Sequence, residues 1–213
     1  MRTPSTPLRT RRFAISLVVV VGLAISGPSW GAGVEPGAPA SDFALKDLDG
    51  KTIHLADYKG KIVVLEWFNP ECPYVRASHS KGSLVGLAKK YAAQGVVWLG
   101  VNSAAPGKQG AGAEKNRAAQ KAFGMEHAIL LDEGGQVGQA YGATNTPHLF
   151  VISKEGKVVY KGAIDNSPDG EGGSPEGGKL VNYVDRAMED LAAGRSLRTP
   201  LTKAYGCSVK YGS

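Results

Sequence analysis

The sequence predicts an α/β fold, a central sheet of mixed strand direction flanked by helices, on three observations. Ile62 to Phe68 and Val96 to Val101 are apolar runs rich in β-branched and aromatic residues, with a helical stretch between them. Such runs read as strands buried on both faces. Leu149 to Ile152 and Val158 to Tyr160 are two more, separated by the turn Lys154-Glu155-Gly156-Lys157. A connection that short makes an antiparallel hairpin. Lys179 to Ala193 is amphipathic, with Leu180, Val184, Ala187, Met188 and Leu191 on one face, and reads as the last helix.

Residues 1–32 read as a secretory signal peptide rather than as part of the fold. Arg2, Arg9, Arg11 and Arg12 precede the apolar run Phe13 to Ile25, and small residues follow at Gly31, Ala32 and Gly33. The run is short of the ~20 apolar residues of a spanning helix. The expectation is therefore export to the periplasm, with membrane attachment only if the segment is uncleaved. The whole chain carries 25 basic and 19 acidic residues. Without the four leader arginines, 21 basic residues face 19 acidic ones, a net charge of +2. That balance excludes a nucleic-acid footprint. An oxidising compartment permits disulfides, and two cysteines allow one internal pairing, Cys72 with Cys207.

The body, residues 34–194, suits one domain, followed by a tail over residues 195–213 that carries Cys207. Asp42 to Leu45 and Lys51 to Leu55 read as an N-terminal β-hairpin around the Asp49-Gly50 turn. After Ile62 to Phe68, Asn69-Pro70 ends the strand and a helical segment opens at Cys72-Pro73. Gly82 and Gly86 divide that segment before Gly95. Asn102 to Gly112 is a loop at the carboxyl end of the second strand, where open α/β sheets place ligands. Glu114 to Phe123 is a helix, Ile129 to Leu131 a short strand, and Gln136 to Tyr141 a short helix. Thr144-Asn145-Thr146-Pro147-His148 precedes the hairpin, an unusual place for proline. Ser167 to Gly178 is a long loop rich in glycine, a functional edge or a disordered tip. Gly194 caps the last helix.

The chemistry centres on Cys72. A thiol at a helix N-terminus, just past a central strand, meets unpaired N–H groups and the positive end of the helix dipole. Both favour the thiolate, which is the nucleophile. The alternative is a small buried hydrophobe. Glu66 is a charged residue within an apolar strand, either a proton acceptor for Cys72 or a strand residue paired with lysine. Glu71 is expected as a solvated acid at the helix start, and Asn69 and Tyr74 flank the thiol. His148 follows Pro147, and His79 lies two helical turns beyond Cys72. With a cysteine these histidines are candidate ligands for a soft metal such as copper. His54 and His127 have no such context, and Trp67, Phe68 and Trp98 are expected as packing residues. Cys207 is a resolving thiol, a free thiol or half of a structural disulfide. As a staple across so long a loop it would contribute about 4 to 5 kcal/mol.

The order of elements, with Cys72 at the strand-to-helix turn and Thr146-Pro147 before the hairpin, resembles the thioredoxin fold. It looks most like the exported peroxiredoxin-like (AhpC/TSA) and TlpA-like redoxins, in a subgroup with a single Cys-Pro motif and a C-terminal Gly206-Cys207-Ser208. The resemblance implies a cis peptide at Thr146-Pro147, lying against the cysteine. It makes Glu66, six residues before Cys72, the counterpart of the buried acid that moves protons in thioredoxins. It implies a thiol oxidoreductase with antioxidant activity, without a cofactor, reducing a peroxide or a disulfide and recycled by an external thiol. Cys72, Cys207 and Glu66 would be catalytic, and Asn69, Pro73, Tyr74, Thr146, Pro147 and His148 would form the pocket. The chain departs from the pattern at three positions. Val75 stands where thioredoxins have a second cysteine, Asn69 where peroxiredoxins have threonine, and Leu65 where they have proline. A copper-binding or non-catalytic binding protein on the same fold is the alternative.

Overall fold

Val63, Val64, Leu65, Glu66 and Trp67 are all buried, as a strand covered on both faces requires. The computed structural model describes residue 1 and residues 33–212, so the expected leader segment lies outside the described residues. In chain order the strands and helices are β1 (Ala44–Asp47), β2 (Thr52–His54), β3 (Val63–Trp67), α1 (Pro73–Ser80), α2 (Leu87–Ala92), β4 (Val97–Asn102) and α3 (Ala113–Ala122). They continue with β5 (Ile129–Leu131), α4 (Gln136–Tyr141), β6 (Asn145–Thr146), β7 (His148–Ile152), β8 (Val158–Gly162), α5 (Tyr183–Ala192) and β9 (Cys207–Ser208).

Seven strands form one sheet in the order β2-β1-β5-β4-β3-β7-β8. β3, β4 and β5 run parallel, while β7 is antiparallel to β3 and β8 to β7. The expected N-terminal hairpin is present as β1 and β2, with β1 pairing antiparallel to β5. Its turn is closed by the Asp47 carboxylate, which accepts the Asp49 and Lys51 N–H groups, both at 2.9 Å. The sheet is thus the mixed, helix-flanked one the sequence predicts.

The register of β3 sorts the core. Leu65 lies opposite Phe150 and Trp67 opposite His148, so these residues share a face. There they pack with Phe43, Val101 and Tyr141. Val64 opposite Val151, and Glu66 opposite Leu149, point the other way. That face packs under Leu84, Leu87, Tyr91, Trp98, Tyr160, Val184 and Met188, from both sheet and helices.

The last helix starts later than its apolar pattern suggests. It begins at Tyr183, because the Asn182 side chain accepts the Asp185 N–H at 2.9 Å as an N-cap. Leu180 is left outside the helix and 42% exposed. The loop over Ser167 to Gly178 is neither bare nor a loose tip. The Asp169 carboxylate accepts the Glu171 and Gly172 N–H groups, and Ser78 on α1 donates to the Gly170 carbonyl at 3.1 Å. The division of the segment after Cys72 into α1 and α2 matches the expectation from Gly82 and Gly86.

Candidate active site

The end of β3 aims a tight turn at the helix that follows. Phe68 N–H still bonds the Val101 carbonyl, but Asn69 turns aside. Its side-chain oxygen accepts the Glu71 N–H at 2.9 Å, its backbone carbonyl accepts the Cys72 N–H at 3.1 Å, and its amide donates to the Gln109 carbonyl at 3.0 Å. Asn69 therefore shapes the turn and ties it to the loop after β4. Cys72 is the N-cap of α1 and Pro73 its first residue, as the sequence predicts.

Cys72 Sγ–H donates to the Thr146 carbonyl at 3.1 Å. The Thr146–Pro147 peptide is cis. The Thr146 hydroxyl is buried beside it and makes no hydrogen bond among the described residues. The other edge of Thr146 belongs to the tail. β9 pairs antiparallel to β6, placing Cys207 opposite Thr146 and Ser208 opposite Asn145. The two cysteines, remote in sequence, thus meet across one residue. Both are unbonded thiols here.

The tail is fixed by a series of contacts. Thr202 N–H bonds the Lys161 carbonyl, Val209 N–H the Thr144 carbonyl, and Ala105 N–H the Lys210 carbonyl, at 3.0, 3.0 and 2.9 Å. Tyr205 OH donates to Asp165 at 2.8 Å, and its ring lies 6.3 Å from that of Tyr74. The cover is complete at Cys72, which is 0% exposed, while Cys207 is half-buried. The sequence left Cys72 as either a reactive thiol at a helix start or a small buried hydrophobe; it stands at the helix start and is buried there.

Burial pushes the Cys72 thiol up, but donors around it outweigh burial and hold it below the ordinary thiol value. These donors are the Cys207 thiol, the Thr146 hydroxyl and the N–H groups of Val75 and Cys207. Cys207 goes the other way. Burial, its hydrogen bond to Cys72 and the charge there push it up to about 11, against the pull of Lys210. Of the two sulfurs, Cys72 has the better-stabilised thiolate, and Cys207 keeps its proton to higher pH. Glu71, expected to oppose this, is engaged by Lys115 Nζ at 2.9 Å and the Gly110 N–H at 2.6 Å, and its carboxyl is held low by them.

Glu66 is 0% exposed and bonded at both oxygens. His79 Nε2 meets Oε1 at 2.7 Å, and Trp98 Nε1 donates to Oε2 at 3.0 Å. Burial pushes this carboxyl up, but His79 and Trp98 pull it below the ordinary range. Ionised Glu66 therefore accepts, and His79 donates. No lysine is its partner, and among the described residues no hydrogen bond joins it to Cys72. The Phe68 ring, 5.8 Å from His79, packs in the same cluster as Cys72. A cavity of about 350 Å³ reaches the pair from the other side, past Phe123, Met125 and His127. His127 is pushed down by burial, against Glu66, to about 4.

His148 accepts the Thr144 N–H at 3.3 Å and is pushed down to about 3 by burial and then by Lys161. It shares a face with Trp67, whereas His79 bonds Glu66 on the opposite face. The copper expectation is corrected on this point, since the two histidines cannot converge on Cys72. Among the described residues no three His, Cys, Asp or Glu side chains converge as a metal site. Arg117 is held by Asp49 at 2.9 Å and by the Leu48 carbonyl.

The profile of the AhpC/TSA family matches residues 36–161. The thiol-disulfide oxidoreductase ResA of Geobacillus thermodenitrificans is 36% identical over 126 residues, 59% of this chain and 67% of the relative. A hypothetical protein of Sinorhizobium meliloti superposes with a TM-score of 0.73 at 27% identity, over 85% of this chain and 97% of that one. The thioredoxin domain of a thiol-disulfide oxidoreductase from Bacteroides vulgatus shares the fold, with a TM-score of 0.51 at 23% identity, over 61% and 89% of the two chains.

Proposed function

The chain belongs to the AhpC/TSA family, and for a member carrying this pair of sulfurs we propose a thiol-disulfide oxidoreductase that cycles between a Cys72–Cys207 dithiol and disulfide. One observation carries the reading. β9 sets Cys207 against Thr146, beside the sulfur that the helix start and the Thr146 hydroxyl favour as a thiolate. Cys207 thereby takes the part that Val75 vacates. Cys72 is the nucleophile and, in the reverse direction, the leaving group, and Cys207 is its partner. Glu66 positions α1 through His79. Asn69, Pro73, Tyr74, Thr146 and Pro147 form the walls around the thiol pair, while His148 lies on the Trp67 face of the sheet. The name of the ResA relative supports a disulfide as substrate, and an external thiol supplies the electrons. The leader pattern supports export, to a compartment where such a couple turns over. Peroxide is the competing oxidant, and burial of Cys72 beneath the tail weighs against it.

The test offers the reduced protein a low-molecular-weight disulfide or hydrogen peroxide, with a thiol reductant in excess. Turnover of the disulfide should exceed that of the peroxide and fall to background in Cys72→Ser. Undiminished turnover in Cys72→Ser would remove the proposal, and faster peroxide turnover would replace the substrate.

A further inference from the structure

We propose that external thiols enter at Cys207, so that the mixed disulfide of the catalytic cycle is carried on the tail rather than on the helix-start cysteine. This rests on the reading of Cys72 and Cys207 as one redox couple and assigns the direction in which it exchanges. The usual expectation places the incoming partner on the cysteine at the helix start. Here that sulfur is the inaccessible one. Cys72 is wholly buried beneath β9, whereas Cys207 is half-buried with an exposed neighbour in Ser208. An attacking thiolate must reach a sulfur, and of the two residues it is Cys207 that is open to solvent.

The leaving group points the same way. The sulfur that departs best is the one whose thiolate is better stabilised. Around Cys72 stand a buried, unpartnered Thr146 hydroxyl and the Val75 N–H at the start of α1. Cys207 has no such donors and is pushed up to about 11. Lys210 acts on Cys207 and favours an anion arriving there.

The steps balance. An external thiolate attacks Cys207 Sγ, a new S–S bond forms, and the Cys207–Cys72 bond breaks. Its electron pair leaves with Cys72 as the thiolate. A second external thiolate attacks the outer sulfur of the mixed disulfide. The external disulfide departs, and the Cys207 thiolate takes a proton from water. Two electrons pass from two external thiols to the protein. In reverse, Cys207 exchanges first with an external disulfide, and buried Cys72 then attacks Cys207 and expels the external thiol.

The test uses full-length protein and glutathione as probe. The oxidised wild type is mixed with reduced glutathione, quenched with acid and peptide-mapped. Reduced Cys72→Ser and Cys207→Ser proteins are treated in parallel with glutathione disulfide under native conditions, with circular dichroism as the check on folding. The adduct should appear on the Cys207 peptide in the wild type and accumulate there in Cys72→Ser. Folded Cys207→Ser should label at least tenfold more slowly. An adduct on Cys72 in the quenched wild type, with the internal disulfide intact beforehand, overturns the direction and leaves the couple standing. No internal disulfide under any oxidant removes the couple itself, and the direction with it.

Discussion

Replacing Gly206 with valine should make Cys72 alkylate roughly a hundredfold faster in the reduced, folded protein, the factor expected when a cover held by about 2.7 kcal/mol is removed. Gly206 has φ +103°, in the region that favours glycine, and a Cβ there would lie 2.3 Å from the Thr146 carbonyl oxygen. Neither the angle nor the contact tolerates a branched side chain while β9 stays paired to β6. The central sheet makes no use of Gly206, so the body should keep its circular dichroism while the tail is released. The readout is the rate of iodoacetamide incorporation at Cys72 by peptide mapping. A wild-type rate in Gly206→Val would mean that something other than the tail covers the sulfur.

Replacing Glu66 with leucine should cost about 3 to 5 kcal/mol, since two buried donors lose their acceptor at about 1 to 3 kcal/mol each. At roughly 2 to 4 °C per kcal/mol for a domain of this size, the melting temperature should fall by about 10 °C. The loss arises because His79 Nε2 and Trp98 Nε1 both surrender their buried acceptor. Adding His79→Leu to the same protein should recover a substantial part, since the unpaired group goes with it. Calorimetry on the two variants reads both effects. A single variant as stable as wild type would show that the pair is not what holds α1 to β3. Equal losses in single and double variants would assign the cost to packing alone.

The features legible in the sequence were those whose cause is local. The apolar runs at Ile62 to Phe68 and Val96 to Val101 declare buried strands without help from distant residues, and Cys72-Pro73 after Asn69-Pro70 declares a helix start. The cis peptide at Thr146–Pro147 came through family resemblance, not from spacing. The partnership of Glu66 with His79 was hidden. It needs α1 folded back over β3 so that a residue thirteen positions on meets the carboxylate, and nothing near His79 signals that. The same applies to Trp98, which reads as packing because its N–H partner lies on the neighbouring strand. The tail escaped for a different reason. β9 is two residues long and carries no periodicity, and it is a strand only because β6 offers an edge. With the tail unplaced, the sequence left Cys207 as a resolving thiol, a staple or a free thiol. It also left Cys72 between a reactive thiol and a small buried hydrophobe.

The distribution of one proton between two sulfurs is what gives this site a chemistry, and ultraviolet thiolate absorbance against pH measures it without needing access to a buried atom. The reduced wild type should show one thiolate forming below the ordinary cysteine value of about 8.5 and a second only toward about 11. The lower step should vanish in Cys72→Ser. In Cys207→Ala it should persist at a higher pH, because one of its donors is gone. Two sulfurs ionising together at or above the ordinary value, with no early step for Cys72→Ser to remove, would contradict the assignment of Cys72 as the thiolate.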